Sequence, residues 1–135
     1  MNRNSALPIP ECIYGCYLPD KREIFLPAGG PPRDDEYTLA HELCHTHQHY
    51  LVLPSGAVAR WTGTAEGEAF IAAVADAEGD ATARLTPPVP NFGADPVEGF
   101  GHACALWYVE GKIRGKMPLS TWPALARFAQ AWLPR

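Results

Sequence analysis

At 135 residues, with 47% of them apolar and 19% charged, the chain suits one domain with its own core and is too apolar for a disordered tail. Its formal net charge of −4 comes from acidic and basic residues mixed along the sequence, without the clustered basic face that a nucleic-acid partner asks for. Nothing approaches the roughly 20 consecutive apolar residues that cross a bilayer, and the opening MNRNSALPIPE has two prolines where a signal peptide would have its apolar run.

These features lead us to expect a single domain over 1–135, with an N-terminal arm over 1–12 and a packing helix over 119–133. No membrane or nucleic-acid contact is expected, and a cytoplasmic location follows by default. In a cytoplasm the four cysteines would be reduced. Cys12 and Cys16 have no second CxxC pair beside them, so they read as two unlinked buried thiols rather than a small disulfide or part of a second metal site.

Ile13–Leu18 and Glu23–Leu26 are short apolar and aromatic runs separated by Pro19-Asp20-Lys21-Arg22, the pattern of a β-hairpin. Its second strand either offers an edge to an extended peptide or simply covers the helix that follows. The stretch Pro27–Pro32 is too rich in proline and glycine for regular structure and reads as a loop. Asp35–Leu51 reads as a helix, opened by the carboxylates of Asp34-Asp35-Glu36 and closed by Pro54 and Gly56. Leu39, Leu43 and Tyr50, with Ala40, Cys44 and Leu51, recur at helical spacing and are expected to be its buried stripe.

Val52–Val58 reads as a turn or short strand. A second helix over Ala65–Asp76 is capped by Thr64. Thr86–Asp95 is irregular and long enough to lie beside a cleft. A third helix starts at Asp95-Pro96 and stops near Gly111, and a last one opens at Ser120 or Thr121 with Leu125, Phe128, Ala129 and Trp132 on its core face. Lys112, Arg114 and Lys116 form a basic cluster that reads as a solvated linker. A hairpin followed by helices makes the fold class α+β.

The first helix carries His41-Glu42-Leu43-Cys44-His45, an HExxH. Helical residues four apart sit roughly 40° apart and about 6 Å along the axis, so both imidazoles reach one ion. Catalytic zinc takes such nitrogens and keeps one position for water. Glu42, next to the first ligand, is placed to take that water's proton. A third protein ligand must come from elsewhere, and Glu66, Glu68 and Glu98 compete for the place. Ligand imidazoles donate their second N–H to an acceptor, for which Glu66, Glu68, Asp76 and Asp95 are candidates. His47 falls on a different helix face and is expected to be exposed. His49, one turn past His45, reads as a pocket or surface residue rather than a ligand.

HELCHTHQ resembles the HExxHxxQ helix of zincin-like peptidases. Asp95-Pro96-Val97-Glu98-Gly99-Phe100-Gly101-His102 resembles the Asn-Pro-x-Glu-Asp-Phe-Ala-Glu segment of bacterial HExxH peptidases related to the anthrax lethal factor catalytic domain. The resemblance covers roughly residues 13 to 108 and implies a compact zincin-like core. It also implies that Glu98 is the third zinc ligand beside His41 and His45. Two departures from the pattern matter. The second glutamate of the segment falls on His102, which reads as an extra ligand, a partner of a ligand or a polar surface residue. A tyrosine that stabilises the oxyanion in some members falls on Asn91, so that helper is unassigned. A rival pattern, the Trp-x-x-Glu-Gly of other zinc peptidases, resembles Trp61–Gly67 with two extra residues and would make Glu66 the ligand.

The expected function is therefore zinc-dependent hydrolysis of a peptide or protein substrate through a zinc-bound water, with Glu42 as general base. The alternative is a zinc-binding assembly or interaction module that keeps the site without turnover and serves a regulatory or assembly partner.

Overall fold

The computed structural model describes residues 16–18, 21, 23–25, 32–52, 58–79, 95–109 and 117–134. They form a mostly helical fold with one small sheet, in the order β1 (Cys16–Leu18), β2 (Glu23–Phe25), α1 (Pro32–Leu51), α2 (Ala65–Gly79), α3 (Pro96–Tyr108) and α4 (Pro123–Trp132), with 3-10 turns over Val58–Gly63 and Leu119–Thr121. The strands pair antiparallel with Tyr17 opposite Ile24, and the Lys21 amide donates to the Leu18 carbonyl at 3.1 Å. No helix among the described residues is long and apolar enough to cross a membrane. The expectations placed on Cys12, Asn91, Lys112, Arg114, Lys116, the loop over 86–94, nearly all of Val52–Val58 and the side chain of Cys16 lie outside the described residues.

Each helix start follows from its local sequence. Pro32 opens α1, so the helix begins before the acidic run rather than after it, and the prolines up to 31 precede it. The Thr64 hydroxyl accepts from the Gly67 amide at 3.0 Å, capping α2. The Asp95 carboxylate accepts from Val97 and Glu98 amides at 3.2 and 3.4 Å, and Pro96 fills the first turn of α3. That cap fixes where Glu98 emerges. Ser120 and Thr121 fall in the 3-10 turn, and α4 starts at Pro123 with no side-chain cap, a correction to the expected opening.

The core is aromatic. Trp61 and Phe100 pack with ring centroids 4.6 Å apart, Phe70 meets Phe128 at 5.4 Å, and Leu119, Trp122 and Leu125 are fully buried beside them. Ring pairs of this kind contribute about 0.5–1.5 kcal/mol each beyond their area. Leu125, Phe128 and Ala129 face this core as expected, whereas Trp132 is 40% exposed because it lies on the last turn, stacked only on the edge of the core at Phe128.

The apolar stripe expected on α1 is also corrected. Leu39, Leu43, Tyr50 and Leu51 are exposed, Ala40 is half-buried, and of that set Cys44 alone is buried. The inward face of α1 instead carries His41, Glu42, His45, Gln48 and His49, all less than a tenth exposed. Burying polar groups is tolerated when they have partners; α3 and the hairpin supply most of them, while His41 Nδ1 and His49 Nε2 have none among the described residues.

Cys44 of α1 and Cys104 of α3 are joined in a disulfide that spans 60 residues of sequence. The expectation of four reduced thiols fails for this pair, because packing α3 on α1 brings together two cysteines that the sequence keeps apart. Such bonds persist in oxidising surroundings and are rare where thiols are kept reduced.

Candidate metal centre

His41 and His45 lie one turn apart on the α1 face that α3 covers. Their Nε2 atoms are 3.1 Å from each other. From the first turn of α3, Glu98 places Oε1 2.8 Å from His45 Nε2 and Oε2 3.3 Å from His41 Nε2. Among the described residues two groups have ligand atoms within 4.8 Å of one another and could hold a metal ion: His41, Glu42 and His45, and His41, Glu98 and His102. An ion bound at about 2.0–2.1 Å in tetrahedral geometry needs its ligand atoms about 3.3 Å apart, close to the separations between His41, His45 and Glu98. Both histidines are buried while the Glu98 side chain is half exposed, so solvent reaches the cluster from the α3 side.

The approach of α3 depends on Gly101. A Cβ there would lie 2.7 Å from His41 Cε1 and 3.0 Å from both His41 Nδ1 and His45 Cε1. Only a residue without a side chain lets the helix carry Glu98 this close.

Gln48 sets the orientation of His45. Its Oε1 accepts from His45 Nδ1 at 2.7 Å, which leaves Nε2 of that ring to face the cluster. Gln48 Nε2 in turn donates to the Val97 carbonyl at 3.3 Å, tying α1 to the turn that carries Glu98. The acceptor is thus the glutamine of the HELCHTHQ stretch and not one of the acidic candidates. None of Glu66, Glu68, Asp76 or Asp95 fills that role in these contacts: Asp95 is the cap of α3, and Glu66 is engaged elsewhere.

Glu66 is buried and accepts from Trp61 Nε1 at 2.7 Å and from His47 Nε2 at 2.9 Å. Gly67 lies under the Trp61 carbonyl, where a Cβ would collide. The Trp, Glu and Gly of the rival pattern therefore lock the 3-10 turn to α2 and α1. His47 is half-buried against Glu66, not exposed, because the turn at Trp61 closes over that face of α1. Glu68 is exposed. His49 is buried and its Nδ1 is 2.7 Å from the Tyr17 hydroxyl, so it anchors β1 over α1.

Glu42 is 5% exposed with Oε2 3.9 Å from His41 Nε2. Burial pushes its carboxyl pKa up, against the opposing pull of the two histidines and of a backbone hydrogen bond from Tyr17. Burial disfavours the charged form of His45, but hydrogen bonds to Glu98 and Gln48 outweigh it and raise its pKa. Hydrogen bonds to His41 and His45 hold Glu98 well below the usual carboxylate range.

Tyr37, which sequence reasoning left without a role, sits one turn before His41. Its hydroxyl is 2.7 Å from His102 Nδ1, and its ring lies 6.5 Å from that of His41. Burial, then the charge of Glu98, push its phenol pKa up, so it stays protonated. His102 brings its ring within 4.4 Å of His41, and His41, Glu98 and His102 form a second group whose ligand atoms lie within 4.8 Å of one another. The clue in the sequence was spacing: Tyr37, His41, His45 and Gln48 share one helix face. Compared with protein-family models, curated proteins and solved structures, the chain matches none.

Proposed function

We propose that this domain is a zinc-dependent peptidase of zincin-like architecture, with His41, His45 and Glu98 as the metal-holding residues and Glu42 as general base. The observation that carries the reading is the convergence of both Nε2 atoms and the Glu98 carboxylate, at 2.8–3.3 Å, beside the carboxylate of Glu42. Nitrogen and carboxylate donors in a two-His, one-Glu set suit catalytic zinc, which leaves a coordination position for a small molecule.

Zinc bound there supplies a Lewis acid that polarises a carbonyl and acidifies water. The protein's residues do the rest. Glu42, buried beside the cluster, would accept a proton from water and return it to the leaving amine. Gln48 keeps His45 in the tautomer that offers Nε2. Tyr17 donates its backbone N–H to Glu42, so the hairpin holds the base in position.

Glu42→Gln tests the reading: zinc stays bound at unchanged stoichiometry, and cleavage of a peptide library falls by at least about 10²–10⁴-fold, the usual contribution of a general base. A variant that cleaves as fast as the parent overturns it. The exposed apolar residues Leu39, Leu43, Tyr50 and Leu51 on the outer face of α1 favour a second reading, a zinc-holding interaction module without turnover. Stoichiometric zinc with no cleavage of any library peptide would select it.

A further inference from the structure

His102 falls where the resembled segment has an acid, and α3 turns it toward the cluster one turn after Glu98. One ligand atom from each of His41, Glu98 and His102 lies within 4.8 Å of the others. Its ring is 4.4 Å from that of His41. Its Nδ1 faces the Tyr37 hydroxyl at 2.7 Å, as His45 Nδ1 faces Gln48 Oε1 at 2.7 Å. A ligating histidine characteristically has its second nitrogen fixed in this way by a neighbouring polar group. Tyr37 holds that position because it is half-buried between His41 and His102, with both rings near-stacked on its own.

From this juxtaposition we infer that His102 is a fourth protein ligand of the metal, contributing Nε2, and that Tyr37 is the residue that positions it. The resting site is then closed by three imidazoles and one carboxylate, the closed type of coordination found where a metal is held rather than used. His102 is exposed on its helix whereas His41 and His45 are buried, so of the three imidazoles it is the one able to swing out and yield its place to an incoming group. This rests on metal binding by His41, His45 and Glu98, but not on peptide hydrolysis.

The test uses the full chain and five proteins: the parent, Glu98→Ala, His102→Ala, His102→Gln and Tyr37→Phe. Zinc affinity is read by competition with a chelator, and ligand number by the visible spectrum of the cobalt(II)-substituted protein. His102→Ala is expected to lose at least about tenfold in zinc affinity and to change the cobalt bands, with added imidazole restoring them. Tyr37→Phe is expected to lose about tenfold, as for a residue that fixes a ligand. His102 being exposed, its replacement leaves the far-ultraviolet circular dichroism unchanged, and His102→Gln serves as a second variant that keeps most of its bulk. Parental affinity and cobalt bands in His102→Ala, alongside loss of metal in Glu98→Ala, overturn the inference alone. A parent that binds neither zinc nor cobalt overturns it together with the metal reading. Zinc binding without peptide cleavage removes only the peptidase reading.

Discussion

The α-carbon of Gly101 lies against the imidazole of His41, with no room for a methyl group: a Cβ there would fall 2.7 Å from Cε1 of the ring. Gly101→Ala must push α3 away from α1 or rotate His41 off the cluster. The expected cost is about 1–3 kcal/mol of stability, as for overpacking elsewhere, with zinc affinity falling at least about tenfold as the ligand is displaced. Gly79→Ala is the control, since a Cβ there meets nothing within 4 Å. Thermal unfolding and zinc titration of both variants check this.

Glu66 and Glu98 separate by the same two measurements. Glu98→Ala loses tight zinc binding, and costs the metal-free fold only the half-exposed contacts that its carboxylate makes with His41 and His45. Glu66→Ala leaves Trp61 Nε1 without its acceptor in the core. It is expected to lose about 1–3 kcal/mol of stability and to keep stoichiometric zinc. The reverse outcome would make Glu66 the ligand.

Gln48 is fully buried and orients His45. Gln48→Leu removes the acceptor of the Nδ1 proton, and zinc affinity is expected to fall by about 10–100-fold. Gln48→Glu keeps an acceptor oxygen and is expected to retain most of the affinity. Equal loss in both variants would assign Gln48 to packing alone.

The Cys44–Cys104 bond ties the helix carrying the histidines to the helix carrying Glu98. Closing a loop of 60 residues stabilises a fold by about 4 kcal/mol in the chain-entropy account. Reductant is expected to lower the denaturant midpoint by the equivalent of several kcal/mol and to weaken zinc binding. The Cys44→Ser, Cys104→Ser double variant should match the reduced parent and ignore reductant. A parent indifferent to reductant would mean that the helices are held by packing alone.

The direction of each pKa shift fixes the pH behaviour. Glu98 is depressed below 4.5, so its contribution to the metal-free fold is present above that pH and is lost as pH falls below it. His45 is raised above 6.5, so its contribution is full below that pH and is lost as pH rises through its folded value. Glu42 is raised above 4.5, so its ionisation takes stability away as pH climbs from there. The metal-free protein is therefore expected to weaken both in acid and above neutrality. Zinc affinity should rise with pH across the titration of His45, because the proton on that ring competes with the metal. Unfolding and zinc titrations between pH 4 and 9 check both signs, and an affinity flat with pH would remove His45 from the ligand set.

Local order was legible in the sequence. The hairpin, the Thr64 and Asp95 caps and the four helices follow from short-range rules, because turn chemistry and capping depend on residues a few positions apart. The spacing of His41, Glu42 and His45 likewise placed three groups on one helix without knowledge of any neighbour. Tertiary packing decided the rest. Which face of α1 turns inward could not be read from its leucines, because the polar face gains partners from three other elements and the apolar face stays outside. Bringing Glu98 rather than Glu66 beside His41 and His45, pairing Cys44 with Cys104, and bringing Tyr37 and His102 together across 65 residues all depend on how α3 packs on α1. That packing is set by a glycine whose meaning is the absence of a side chain, and an absence acquires a partner only once the chain has folded.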